Sequence, residues 1–231
     1  MADGSTAHEV LAVVLQVRSG AADGGLSLQV LLWRRGQAPQ PGRWALPGGR
    51  LAADEDVERS ALRQLAEKVD VREVAHLEQL AVFSDPARVP GPRTVASTFL
   101  GLVPSPADPR LPGDTRWHDA QALPELAFDH RTVIDRAVSR LRHKLSYTNI
   151  GFALAPAEFT MSTLRELYTT ALGHPVDTTN LQRVLTRRGV LVPTGTRAPT
   201  GPSGGRPGAL YRFTGSSLRV TDAFAALRPP S

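Results

Sequence analysis

The 231-residue sequence contains no cysteine. Disulfides and thiolate metal sites are therefore excluded, and nothing calls for an oxidising compartment. Long apolar runs are missing too. Near the start the longest is Leu11 to Leu15, with no basic segment before it, so neither a secretory signal nor a transmembrane helix is expected. The expected location is the cytoplasm, with no membrane partner. Lysine is nearly absent, occurring only at Lys68 and Lys144 among 27 basic residues. What remains is ordinary for a soluble globular protein, 41% hydrophobic and 21% charged. The length allows one large domain or two small ones.

Charge is unevenly spread. Met1 to Phe128 carries 13 basic and 16 acidic residues, a net of −3, whereas Asp129 to Ser231 carries 14 against 6, a net of +8. A basic second half suggests a polyanion partner for that half alone. The plainer alternative is a solvated, arginine-rich surface.

Residues 1–9 lack a pattern and are expected to fray. Val10 to Val17 and Leu26 to Trp33 are rich in branched apolar residues around a glycine-rich connection, which predicts two strands of a hairpin or meander. Trp44 to Gly49 reads as a short strand breaking into a turn at Pro47-Gly48-Gly49. A helix is predicted from Asp54 or Glu55 to about Val69, with Val57, Ala61, Leu65 and Val69 on one face and Leu62 beside them. Strands follow at Ala75 to Phe83, Thr94 to Leu102 and Thr115 to His118. Strands, one helix, then more strands indicate a mixed α/β sandwich. His130 to Tyr147 is a long amphipathic helix and reads as a connector.

The last 80 or so residues follow a different pattern. Thr160 is a plausible N-cap before a helix with Met161, Leu164, Leu167, Tyr168 and Leu172 on its apolar face. Asp177 caps a second helix, with Leu181, Val184 and Leu185 inward. Strands at Leu191-Val192 and Gly208 to Phe213 flank a Pro/Gly/Thr/Ser-rich segment. Two helices and a hairpin outline a winged helix-turn-helix. The opposite face of the second helix offers Thr178, Thr179, Asn180, Gln182, Arg183, Thr186 and Arg187, types that read base edges and phosphates. Arg197 and Arg206 on the wing suit minor-groove or phosphate contact. Any solvated helix also shows a polar face.

The motif with the most chemistry lies between Gly49 and Val71. It resembles the Nudix box, G-x5-E-x7-R-E-U-x-E-E-x-G-U, with U a bulky aliphatic. Gly49, Glu55, Arg63, Leu65, Glu67 and Val71 match in register. Gln64 and Lys68 stand where the box has glutamates, and Asp70 stands where it has glycine. Gln64, Glu67 and Lys68, at i, i+3 and i+4, are expected to converge on one spot. In the box, clustered carboxylates hold Mg2+, which needs several hard oxygen ligands. A neutral amide and an ammonium leave a poor cation site, so no catalytic residue, resident metal or other cofactor is expected. The alternative is that Glu58 or Asp54 compensates. The binding half reads as intact. Arg34, Arg43 and Arg50 lie close in sequence to Pro47-Gly48-Gly49, where exposed backbone N–H groups suit phosphate. Trp44, Phe83 or Trp117 offers a stacking surface for a base, unless these rings are core.

The whole layout resembles the Nudix-related transcriptional regulators of NAD metabolism, the NrtR family. The resemblance runs through Gly42-Arg43-Trp44-Ala45-Leu46-Pro47-Gly48-Gly49, Leu77-Glu78-Gln79-Leu80, Phe83-Ser84-Asp85-Pro86, Leu126-Ala127-Phe128-Asp129-His130, Phe159-Thr160-Met161 and Gly205 to Phe213. It implies an α/β Nudix-like α/β/α sandwich with a C-terminal winged helix-turn-helix. The corresponding division is 1–128 effector domain, 129–148 connecting helix and 149–231 DNA-binding domain. It also implies a homodimer that binds a palindromic double-stranded operator and represses NAD-synthesis or salvage genes until ADP-ribose or a related nucleotide releases it. The effector residues would be Arg34, Arg43, Trp44, Pro47, Gly48, Gly49, Arg50 and Phe83, around the degenerate box Glu55, Arg63, Gln64, Glu67 and Lys68. Two other classes stay open: an active Nudix ADP-ribose pyrophosphatase with an accessory domain, and a protein-interaction module using the C-terminal half.

Overall fold

The structure is a computed structural model that describes residues 6–20, 24–199 and 208–222. The chain divides into two compact units. One comprises 1–16, 28–103 and 107–140; the other comprises 17–27, 104–106 and 141–231. No helix among the described residues is long and apolar enough to cross a membrane.

The first unit is built on β1 (Ala7–Ser19). This strand is buried on both faces from Val10 to Val17, the signature of a sheet covered on two sides. It runs parallel to β6 (Thr94–Leu102) from Ala7 to Leu15. That pairing orders Ala7 to Glu9, where the sequence predicts fraying; their partner lies nearly 90 residues away, beyond any local pattern. Around this pair come β2 (Leu26–Arg34), β3 (Trp44–Ala45), β4 (Gly48–Arg50), β5 (His76–Phe83) and β7 (Thr115–Asp119). The strand path is β3-β2-β1-β6-β5, with β4 on β1 and β7 on β2.

Pro47-Gly48-Gly49 is not the expected open turn. Gly48 and Gly49 belong to β4 and pair antiparallel with Leu11 and Val10. The cause is a close approach: a Cβ on Gly48 would sit 2.3 Å from the Val10 carbonyl oxygen. Only glycine lets this strand lie so near β1.

Helix α1 (Val57–Val69) starts later than the sequence suggests. Asp56 is extended, and its carboxylate accepts the Arg59 N–H at 2.8 Å, so Asp56 is the N-cap and Glu55 precedes the helix. At the other end Asp70 adopts φ 50°, ψ 33°. This is the box's glycine position, and aspartate is among the few residues that enter the left-handed region without severe cost. The helix packs on the sheet through Ala61 against Val10 and Phe99, and through Leu65 and Val69 against Ala12, Val14 and Leu31. Leu62, expected beside that face, is 45% exposed. Leu11, Val13 and Leu15 point to the other side of β1 and are equally buried. Helix α2 (His130–Tyr147) begins in this unit, with Val133, Ile134 and Ala137 fully buried.

The second unit contains the end of α2, then α3 (Met161–Leu172), α4 (Thr178–Arg187), β9 (Leu191–Arg197) and β10 (Ala209–Phe213). Thr160 caps α3, Gly173 closes it at φ 78°, and Asp177 caps α4. A two-residue strand, β8 (Phe159–Thr160), completes a three-stranded sheet in the order β8-β10-β9. Its core includes Leu164, Leu167, Tyr168, Leu181, Leu185 and Val190. The division between units falls inside α2, at residues 140–141.

Candidate functional site

The box residues form two arrangements. In the first, Glu55 accepts two hydrogen bonds from Arg63, at 2.8 and 2.6 Å, and one from the Ala52 N–H at 2.9 Å. The side chain of Glu55 is only 6% exposed. Its carboxyl is pushed down to about 2, first by the Arg63 hydrogen bonds and then by the Ala52 amide. Arg63 also reaches Glu67 at 3.1 Å. One guanidinium thus holds both remaining box carboxylates.

In the second, Gln64 and Lys68 both fasten β4. Gln64 Nε2 donates to the Arg50 carbonyl at 3.4 Å. The amide is packed under Gly49, where a Cβ would lie 2.7 Å from Nε2. Lys68 Nζ donates to the Gly48 carbonyl and lies 5.6 Å from the centre of the Trp33 ring. Burial holds this ammonium below the usual lysine range, with Arg63 and Arg35 adding to the effect. The expected convergence of Gln64, Glu67 and Lys68 therefore does not occur: two turn to the β4 backbone, and Glu67 turns outward to Arg63.

A Nudix box implies a divalent cation, and these residues do not fit one. Glu55 and Glu67 are engaged by Arg63, Gln64 contributes a neutral amide, and Lys68 brings a positive charge to the same turn of α1. Among the described residues no group of three His, Asp or Glu is placed to hold a metal. Hard divalent cations need several oxygen ligands.

The effector candidates are only partly brought together. Arg34 Nε donates to the Gly42 carbonyl at 3.1 Å. Arg43 pairs with Glu125 at 2.6 Å and reaches the Leu126 carbonyl. Trp44 meets His118 edge-on, with centroids 4.3 Å apart. Pro47 and Gly48 are buried, and the Pro47 carbonyl accepts from the Ala12 N–H, so the exposed amide cradle anticipated there is absent. Gly49 is half-buried and Arg50 exposed. Phe83 is on β5, at the opposite end of the strand path from Trp44, and lies 6.0 Å from the Arg136 guanidinium.

Two residues outside the predicted effector set also belong here. Trp33 donates through Nε1 to the Leu46 carbonyl at 3.0 Å and carries Lys68 on its ring. Arg35, two positions further, lies over the Phe128 ring at 4.8 Å. Strand alternation puts Trp33 and Arg35 on one side of the strand direction and Arg34 on the other. That parity was available in the sequence.

The same unit contains a buried network. Arg88, whose side chain is 1% exposed, makes paired 2.9 Å bonds to Asp129 and a further bond to Glu9. Next to Asp129, buried His130 accepts the Leu46 N–H on Nδ1 at 3.0 Å. Burial, then Arg88 and Arg35, pushes His130 down to about 3, so the ring is neutral and an acceptor.

In the second unit, α4 exposes Thr179, Asn180, Arg183, Thr186 and Arg187 along one stripe. Arg183 donates to Asn180 at 2.8 Å. Gln182, expected on that surface, is half-buried and donates to the Tyr211 hydroxyl at 3.0 Å, tying α4 to β10. Thr178 is half-buried. Arg197 ends β9 and is exposed. Arg206 lies outside the described residues. Arg188, not anticipated, bonds the Ser146 carbonyl at 2.9 Å and Asp222 at 2.8 Å, fixing the end of α4 to the end of α2.

Together these features define the class: a Nudix-type α/β unit, with a box altered at its cation ligands, joined to a winged helix-turn-helix. Comparison with known proteins narrows it. Residues 9–137 match the NUDIX domain, and residues 151–213 match the NrtR DNA-binding winged helix domain. The chain belongs to the NrtR family. It is 33% identical over 193 residues to the ADPR responsive transcriptional repressor NtrR of Acinetobacter baylyi, covering 80% of this chain and 76% of that protein. It resembles Shewanella oneidensis NrtR with 30% identity and a TM-score of 0.73, covering 90% and 94% of the two chains. The same protein complexed with a 27mer DNA gives 29% and 0.72, covering 89% and 93%. Its NUDIX domain complexed with ADP ribose gives 30% and 0.50, covering 59% of this chain and 89% of that one. A Methanocaldococcus jannaschii ADP-ribose pyrophosphatase is 31% identical over 112 residues, 46% of this chain and 63% of that protein.

Proposed function

We propose that this chain is an ADP-ribose-responsive transcriptional repressor of NAD-synthesis or salvage genes whose Nudix unit senses the nucleotide without hydrolysing it. The observation that carries this reading is the position of Lys68: its ammonium is anchored on the Gly48 carbonyl, in a box whose carboxylates are held by Arg63. Such a box favours holding a diphosphate over activating water. Residues 1–128 would hold the effector, 129–148 connect, and 149–231 bind a palindromic operator as a homodimer in the cytoplasm. Arg34, Arg43, Trp44, Gly49 and Arg50 remain effector contacts in this reading, and Trp33 and Arg35 join them. Pro47 and Gly48, which are buried, shape the site through the β4 backbone that holds Lys68, and Phe83 stands apart at the far end of the strand path. On DNA, Thr179, Asn180, Arg183 and Arg187 face the groove, with Thr178 and Gln182 at its edge and Arg197 and Arg206 on the wing.

The coupling needed is small, because tenfold weaker DNA binding takes about 1.4 kcal/mol. DNA selected from a genomic pool should be retained by the protein and released by ADP-ribose. If ADP-ribose neither binds by calorimetry nor alters DNA retention, the reading fails. The pyrophosphatase relative favours a second reading, a hydrolase with an accessory domain. Release of AMP from ADP-ribose with Mg2+ would decide for it.

A further inference from the structure

In the altered box, Lys68 stands at a position where the consensus has a glutamate. Lys68 is at the end of α1, with its ammonium set between the Gly48 carbonyl and the face of Trp33. An ammonium has three N–H donors, and one is committed to Gly48. Arg35 and Arg63 act on it as like charges, with Glu67 and Glu9 as weaker opposing ones. Glu67 is itself paired with Arg63. Lys68 as a residue is exposed while its ammonium is partly buried, so part of the side chain is open to solvent.

We infer that the Lys68 ammonium, backed by Arg35 and Arg63, is a built-in cation that receives the diphosphate of a nucleoside-diphosphate ligand, so that binding requires no divalent metal. This rests on the sensor reading above and specifies how that site recognises its ligand. An anion there adds charge-assisted hydrogen bonds and offsets the like-charge effect of Arg63 and Arg35 on the ammonium. The plainer alternative is that Lys68 only complements the C-terminal dipole of α1 and fastens β4. That role would leave ligand affinity indifferent to its charge.

Calorimetric titration of the full-length protein with ADP-ribose separates these cases, in excess EDTA and in excess Mg2+. The expected result is the same affinity, within about twofold, in both buffers. Lys68→Gln should weaken it by about tenfold or more in both, and Lys68→Arg should recover most of the loss. A wild-type requirement for Mg2+ overturns the built-in cation while the sensor reading stands, as does wild-type affinity in Lys68→Gln. Absence of ADP-ribose binding in both buffers overturns the sensor reading itself. If Lys68→Gln melts early, the two wild-type titrations and Lys68→Arg still decide.

Discussion

Replacing Arg88 with methionine tests the buried network most severely. The side chain is 1% exposed and joins the loop after β5 to Glu9 on β1 and to Asp129 at the head of α2. Methionine keeps much of the stem volume and removes the charge. Glu9 and Asp129, 22% and 21% exposed, are then left as neighbouring carboxylates without a partner. Removing one member of a buried ion pair costs about 3–5 kcal/mol. The remaining water contact of both carboxylates places this case near the lower figure, about 3 kcal/mol. For a chain of this size that is a fall in melting temperature of roughly 6–12 °C. Urea and thermal unfolding near neutral pH measure both quantities. Adding Asp129→Asn to the Arg88→Met protein should recover part of the loss, since it removes one stranded charge. A loss under about 1 kcal/mol, or no recovery, refutes the claim that this network organises the Nudix unit.

The other expected outcomes follow from single sites. Gly48→Ala should destabilise strongly, by about 2 kcal/mol or more, because its Cβ would meet the β1 backbone; Gly49→Ala should cost less and be relieved by Gln64→Ala, since the atoms nearest its Cβ belong to that side chain. Thermal melts of the three proteins rank them, and equal losses at both glycines would contradict the packing described. The depressed His130 binds its proton far more readily unfolded, so its contribution to stability is present above about 6.5 and is lost as pH falls toward about 3. His130→Gln should flatten unfolding free energy between pH 5 and 6.5, above the window in which Glu55, held down to about 2, loses its contribution. Arg183→Ala and Arg187→Ala should each weaken DNA binding, by about 1–3 kcal/mol where the arginine reads a base or with a salt slope reduced by about 1 where it meets a phosphate; unchanged retention of selected DNA removes α4 from the interface.

Much of this organisation was legible in the residues. Box spacing, the Asp177 and Thr160 caps and the apolar stripe of α2 are local signals, and local signals survive without a structure. What was missed depends on distant partners. The pairing of Ala7 to Glu9 needs β6. The burial of Pro47 and Gly48 needs the backbone of β1. Arg88 reads as one more surface arginine until Glu9 and Asp129 are brought to it. Gln182 looks like a base-reading residue until Tyr211 arrives from the returning strand. The convergence of Gln64, Glu67 and Lys68 followed correctly from helical spacing as far as Cβ positions go. It failed at the side-chain tips, where the Gly48 and Arg50 carbonyls on one side and Arg63 on the other offered better partners.

The same geometry recasts the box departures. Asp70 keeps the left-handed turn that glycine would supply. Gln64 and Lys68 each gain a backbone carbonyl of β4. These replacements preserve the fold of the motif with fewer carboxylates than the box consensus carries.

One measurement bears on the central claim more directly than the rest. The unmodified protein is held on selected operator DNA in Mg2+ buffer, ADP-ribose is added, and DNA retention and AMP are followed in the same sample. The expected result is release of DNA while ADP-ribose stays intact over many times the release period. Accumulation of AMP at enzymatic rates, or DNA that stays bound at saturating ADP-ribose, would contradict a sensor that holds its nucleotide without cutting it.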